Sequence, residues 1–218
     1  MYVPQAFRLD RTATLAFAGA RGFGLVIAFD GGRPIASPLP FWLDASEQSH
    51  PRLEFHVAQA NPLGSLAVHG GRWLVAVQGP DAYVSPDWYA SRDQVPTWLY
   101  ESAQMSGPVR VLTADEKRDH IDRLTAQFEG WLAPKPAWSV ATLSPTRREG
   151  LLRAIVAIEM RIESVEGSAK LNQHKGDADH TAIVAALAGQ GGDSGAIAAR
   201  MREQRSHLSS DGLGRVND

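Results

Sequence analysis

Short apolar runs broken by glycine, proline and aspartate turn signals recur along most of this chain, and they constrain its fold more than any other feature. Residues 25–29, Leu-Val-Ile-Ala-Phe, lead into an Asp-Gly-Gly turn at 30–32 and resume at 34–43, which reads as a β-hairpin. Runs at 52–55, 73–78, 96–106 and 109–112 continue the series, and 155–165 supplies a last long strand followed by a turn at Gly167. Strands this closely spaced, with turns rather than helices between them, predict a barrel or sandwich instead of a parallel sheet.

Helices are expected at the start and mainly late. Asp10 can cap a helix through about Gly19. Thr113 with Glu116 forms a capping box for a helix ending near Gly130, and Ser144-Pro145 pairs an N-cap with a first-turn proline for a helix to about Ala154. Asp177 or Asp179 opens a further helix through Leu187. The expected organisation is one domain over 1–187, then 188–218 as a flexible glycine-rich linker, a short helix at 196–205 and a disordered tail from Ser206.

The chain has 218 residues, and its hydrophobic content of 44 % is enough for a substantial core. With no cysteine, disulfides, thiolate catalysis and cysteine-held metals are excluded, so redox chemistry would belong to a bound cofactor. No apolar run is long enough to span a membrane, and the amino terminus does not read as a secretory signal, so a cytoplasmic location is expected. Twenty-two Lys and Arg against 24 Asp and Glu give a net charge of -2, which leaves direct DNA binding unsupported.

Residues 78–100 concentrate aromatics and prolines, including Trp88, Tyr89, Trp98 and Tyr100. Rings held by a proline-stiffened backbone suit a stacking surface or a dimer seam; a core hairpin with a tight turn is the plainer alternative. This block resembles the signature of the PaiB-type FMN-binding negative transcriptional regulators. Three further blocks match that family in the same order: Met1-Tyr2-Val3-Pro4 with Phe7, His56-Val57-Ala58-Gln59-Ala60-Asn61-Pro62, and Gly167 with Lys170-Leu171-Asn172-Gln173. The resemblance implies a mainly β (α+β) FMN-binding split β-barrel, related to pyridoxamine-phosphate-oxidase-like flavoproteins, with C-terminal helices. It also implies a homodimer with FMN at its interface.

FMN needs a counter-charge or amides for its phosphate, polar groups for the ring edge and an apolar slot for the ring. The block at 56–62 follows strand 52–55 and reads as a helical turn ended by Asn61-Pro62, its first amides facing an anion, with His56 as a further donor. His56 as a plain cap of that turn remains open. The residues assigned by resemblance to cofactor contact are Ser37, Leu39, His56, Val57, Ala58, Gln59, Asn61, Trp88, Trp98, Tyr100, Lys170 and Gln173.

At four positions the sequence departs from the family. Gln59 stands where a basic residue is common, Pro38 and Gln104 replace histidines, and Leu99 replaces an asparagine. Together they imply a flavin site that is weakened, retuned or abandoned. The residues 170–175 read equally as a pocket contributor and as a solvated loop, while His174 and His180, six apart, would not share a helix face for a metal. Nucleotide-loop, esterase-elbow and zinc-protease motifs are missing. Three functions follow: a homodimeric FMN-binding regulatory module, a flavin-dependent oxidoreductase acting on a small planar substrate, or a scaffold for haem or another planar ligand with His56 as axial candidate.

Overall fold

Side-chain alternation, not local propensity alone, decides where the strands of this molecule begin and end. The computed structural model describes residues 1–47 and 49–206. In chain order the elements are β1 (Arg8–Leu9), α1 (Arg11–Arg21), β2 (Phe23–Phe29), β3 (Pro34–Pro40), β4 (Trp42–Asp44), β5 (Arg52–Ala58) and α2 (Pro62–Val68). Then follow β6 (Arg72–Val84), β7 (Thr97–Val111), α3 (Ala114–Gly130), α4 (Pro145–Arg153), β8 (Ile155–Arg161), β9 (Ser164–Lys170), α5 (Asp177–Ala188) and α6 (Gly192–Gln204). The strands run in the order β3-β2-β6-β7-β8-β5-β4, with β9 pairing β1 and β7. The fold is a mainly β split barrel with C-terminal helices.

The local signals act as their chemistry requires. Asp30 Oδ1 accepts from the amides of Gly32 and Arg33, both at 2.9 Å, and so turns β2 into β3. Thr113 and Glu116 close a capping box on α3, with Glu116 Oε2 accepting from the Thr113 amide at 2.8 Å. Ser144 accepts from the Arg147 amide and Pro145 opens α4. β3, at the end of the strand order, carries Pro34, Pro38 and Pro40, which suits an edge strand because proline cannot donate to a further neighbour.

Three strand expectations need correction. The runs at 96–106 and 109–112 are one strand, β7, which passes through Gly107-Pro108. A Cβ on Gly107 would stand 1.7 Å from the Arg161 carbonyl oxygen, so this glycine serves a close backbone approach and not a turn. Conversely, 155–165 is not one strand. The amides of Ile162 and Glu163 leave the ladder to donate to Pro51 O and Ser106 O, both at 2.9 Å, and the chain restarts as β9. Gly167 lies within β9 opposite Leu9 and makes no turn.

The chain divides into two compact units. The sheet unit, Arg11–Val77 and Ala103–Val165, fills its core from alternate strand positions: Val26 and Ala28, Leu53, Phe55 and Val57, Trp73, Val75 and Val77, Ala103 and Met105, Ile158 and Met160. Leu15 and Ala18 of α1 and Leu63 and Ala67 of α2 join that core. The helix unit comprises Met1–Asp10, Gln78–Ser102 and the chain from Glu166 onward. Its core joins Ala82, Val84, Tyr89 and Leu99 to Ile183, Val184 and Leu187 of α5 and Ile197, Ala198 and Met201 of α6. Thus α6 begins four residues before the expected 196 and buries one face in this core. The tail expected from Ser206 lies, past that residue, outside the described residues.

Candidate functional site

The block at 56–62 is built differently from its sequence reading. β5 continues to Ala58, because Leu53, Phe55 and Val57 alternate into the core while the strand stays in register with β8, Phe55 opposite Ile158 and His56 opposite Ala157. The expected helical turn is therefore absent. Asn61-Pro62 starts a helix and does not end one: Asn61 Oδ1 accepts from the Leu63 amide at 2.9 Å and Pro62 occupies the first turn of α2. The dipeptide reads either way in sequence, since a proline can follow one helix or open another.

Strand alternation sends Val57 inward, where it is 2 % exposed and its side chain packs in the core. Ala58 and Gln59 are exposed, with the Gln59 amide donating to Ala154 O at 2.8 Å. Asn61 Nδ2 donates to Ser37 Oγ at 3.2 Å, which joins β3 to the start of α2. Leu39 packs partly buried against the core, and Pro38 lies between them on the exposed face of β3. Ser37 and Asn61 are thus brought together, half-buried, beside an uncharged turn.

His56 and Glu54 lie on the opposite side of β5 from the core and meet α3. His56 Nδ1 is 3.1 Å from His120 Nε2, and His120 Nδ1 is 3.3 Å from Glu54 Oε2, a contact off the line of a good hydrogen bond and thus electrostatic in character. Arg123 donates to both Glu54 oxygens at 3.1 and 2.8 Å. Glu54 stands opposite Glu159, a like-charge pair that would repel. Arg52 lies 3.9 Å from each, and Arg110 bonds Glu159 at 2.9 Å, so the guanidinium groups offset the repulsion. Arg123 also stacks over Trp42 at 4.7 Å.

Burial first, and then the nearby His120, depress the His56 pKa from 6.5 to about 4, so its ring is neutral at pH 7. For Glu54 burial pushes upward, but the contacts from His120 and Arg123 prevail and hold its carboxyl below the ordinary range. A neutral His56 gives an anion no charge. The network of Glu54, His120 and Arg123 was not read from sequence: Glu54 and Arg123 are 69 positions apart, and only the packing of α3 on that face brings them together.

In the helix unit the remaining assigned residues have their own partners. Trp98 is 54 % exposed and meets Tyr83 edge-on at 5.9 Å, Tyr100 is half-buried, and Trp88 packs on the core. Lys170 Nζ donates to Thr97 Oγ1 at 2.6 Å. Gln173 spends both ends of its amide within its own turn, accepting from the Leu171 amide at 2.8 Å and donating to Ala169 O at 2.6 Å. Leu99 is wholly buried in the core, and an asparagine there would bury an amide among hydrocarbon. His174 packs on Phe7, and His180 lies 3.1 Å from Met201 O, so the two histidines serve separate contacts.

The donor set of the sheet unit fits the neutral parts of a flavin mononucleotide. Ser37 and Asn61 would hold polyol and ring-edge groups, and the flavin, when bound, would supply the redox chemistry this cysteine-free chain lacks. Positive charge for the phosphate is what the turn omits, since Gln59 is neutral and His56 is uncharged.

These features define a flavin-binding type of split barrel. Residues 1–164 match the family model described as "Putative FMN-binding domain", and the chain belongs to that family. It is 30 % identical over 188 residues to the protease synthase and sporulation protein PAI 2 of Bacillus subtilis (strain 168), a match covering 86 % of this chain and 89 % of the relative. Two solved structures share the fold. The FAD and heme binding protein from Mycobacterium smegmatis is 22 % identical with a TM-score of 0.55, covering 81 % of this chain and 78 % of its own. The flavocytochrome Anf3 from Azotobacter vinelandii is 16 % identical with a TM-score of 0.56, covering 77 % and 72 %. Among the described residues no helix is long and apolar enough to cross a membrane.

Proposed function

We propose that this chain is a homodimeric, cytoplasmic FMN-binding module of regulatory type that holds its flavin weakly. The observation that carries the reading is the composition of the β5–α2 turn: Ser37 and Asn61 are paired and available for a polyol, while Gln59 leaves the phosphate without a cation. A charged contact is worth about 1.5–3 kcal/mol against about 1 for a neutral amide. With Pro38 and Gln104 also unable to replace histidine contacts, roughly 4 kcal/mol is lost from a nanomolar site near 12 kcal/mol, which places FMN near micromolar.

Dimerisation is supported by apolar side chains that a monomer would leave wet. Phe23, Leu25 and Phe29 form an exposed row on β2, and Tyr83 and Trp98 form a second exposed pair in the helix unit. A regulator with a net charge of -2 has little to offset phosphate repulsion, so it acts without strong DNA affinity of its own. Titration of FMN with purified protein, followed by flavin fluorescence quenching, tests the reading. Saturation in the micromolar range supports it, and copurification with stoichiometric flavin overturns the weak-site argument. Sedimentation as a monomer at micromolar concentration would remove the dimer.

A further inference from the structure

A pocket of the sheet unit has a chemistry the flavin reading does not use. It is a cavity of about 350 Å3 on the α3 and α4 side of β5, at the lower end of the range of about 300–1,000 Å3 for small-molecule sites. Apart from His56, Thr125 and Arg148 its wall is hydrocarbon and ring, chiefly Trp138, Leu152 and Ile155. Trp138 is exposed and marks the open side.

Arg148 is the anomaly in this wall. Its Nε is buried without a hydrogen-bond partner, and its guanidinium makes no ion pair among the described residues. The neighbouring Glu149 is taken by Arg118 at 3.4 Å. Lys117 adds positive charge nearby, its Nζ seated on the carbonyls of Leu152 and Ile155 at 3.0 and 3.1 Å. A buried donor of a cationic group left unpaired is costly, and an anion in the cavity would relieve it. His56 is neutral and its Nδ1 is engaged by His120, so it leaves one ring nitrogen for a polar contact and no charge.

From this wall and its unmatched cation we infer that the cavity binds a small aryl carboxylate, with the ring against Trp138, Leu152 and Ile155 and the carboxylate on Arg148. A dianionic phosphate ester fits less well, because the wall offers one guanidinium to two negative charges. The site is separate from the Ser37–Asn61 turn and shares with the assigned flavin contacts only His56.

The test is fluorine NMR of the full chain titrated with 4-fluorobenzoate. Saturable binding is expected, with the uncharged 4-fluorobenzamide at least about tenfold weaker, as loss of a charge-assisted contact requires. Arg148→Met should weaken 4-fluorobenzoate by about tenfold or more, and Arg148→Lys should restore most of it. If Arg148→Met fails to fold, the benzamide comparison and Arg148→Lys decide alone. Equal binding of acid and amide overturns the inference, as does the lack of saturation or a measurable Arg148→Met protein that binds as the parent does. Stoichiometric displacement of 4-fluorobenzoate by FMN would show that the cavity belongs to the flavin site, and would also overturn it.

Discussion

Glu54 in the sheet unit and Glu101 in the helix unit are both only 2 % exposed, yet their partners differ in kind. Glu101 is held by the fork of Arg200 from α6, whose Nε reaches both carboxylate oxygens at 3.2 and 3.0 Å and whose Nη2 bonds one at 3.0 Å. Glu54 shares itself between Arg123 and a histidine chain that leads through His120 to His56. One carboxylate is bound by a guanidinium fork, the other by a guanidinium together with a histidine chain that ends at the depressed ring of His56. The first arrangement is a fastening for α6; the second makes the face of β5 sensitive to pH.

The largest effect should come from cutting the fixed fastening. Arg200→Met leaves Glu101 buried and unpaired, a change that costs about 3–5 kcal/mol for a fully desolvated pair. Arg200 is itself half exposed, so water reaches the vacated place and the lower end, about 3 kcal/mol, is expected in urea denaturation. A cost below about 1 kcal/mol would mean that Glu101 stays solvated, and the contrast between the two carboxylates would fail.

Next comes acid. The folded-state pKa of His56 lies below its ordinary 6.5, at about 4, so the unfolded chain binds more protons between those values. Stability from this group is therefore fully present above pH 6.5 and is lost as pH falls toward 4, by up to about 3 kcal/mol. The depressed Glu54 carboxyl adds a loss in the same direction at the acid end. Thermal melts of the parent and His56→Phe across this window should diverge, the variant losing less. Parallel curves would show that His56 is protonated in the fold without penalty.

Arg123→Met should cost less than Arg200→Met, about 1–2 kcal/mol, because His120 remains 3.3 Å from Glu54 and Arg52 lies 3.9 Å away. An equal cost for the two arginine variants would show that the histidine chain compensates nothing.

What the sequence revealed follows from how local each signal is. The Thr113–Glu116 capping box, Ser144-Pro145 and the Asp30 turn are complete within four residues, and the structure keeps all three. Family membership and the split barrel were legible from blocks in order. The continuity of β7 through Gly107 depends on Arg161, and the break before β9 depends on Pro51 and Ser106, partners that no local window contains. His56 and His120 are 64 positions apart, and the packing that depresses the His56 pKa exists only in the fold. Leu99 appears in sequence as a lost polar contact and in the structure as a core residue.

The smallest expected effect asks which unit holds the phosphate. In the sheet unit Gln59 is exposed at the open turn beside Asn61, so Gln59→Arg adds a cation that a phosphate can meet without repacking. In the helix unit Lys170 already donates to Thr97 at 2.6 Å, and a phosphate would have to compete with that bond. FMN titration followed by fluorescence should therefore show Gln59→Arg binding about tenfold tighter, near 1.4 kcal/mol, and Lys170→Met binding within about threefold of the parent. Screening fixes the sign of a control: the gain in Gln59→Arg should shrink as salt is raised, because the turn is exposed. If Lys170→Met instead loses tenfold while Gln59→Arg changes nothing, the phosphate belongs to the helix unit, and the uncharged turn is no longer the reason for weak flavin binding.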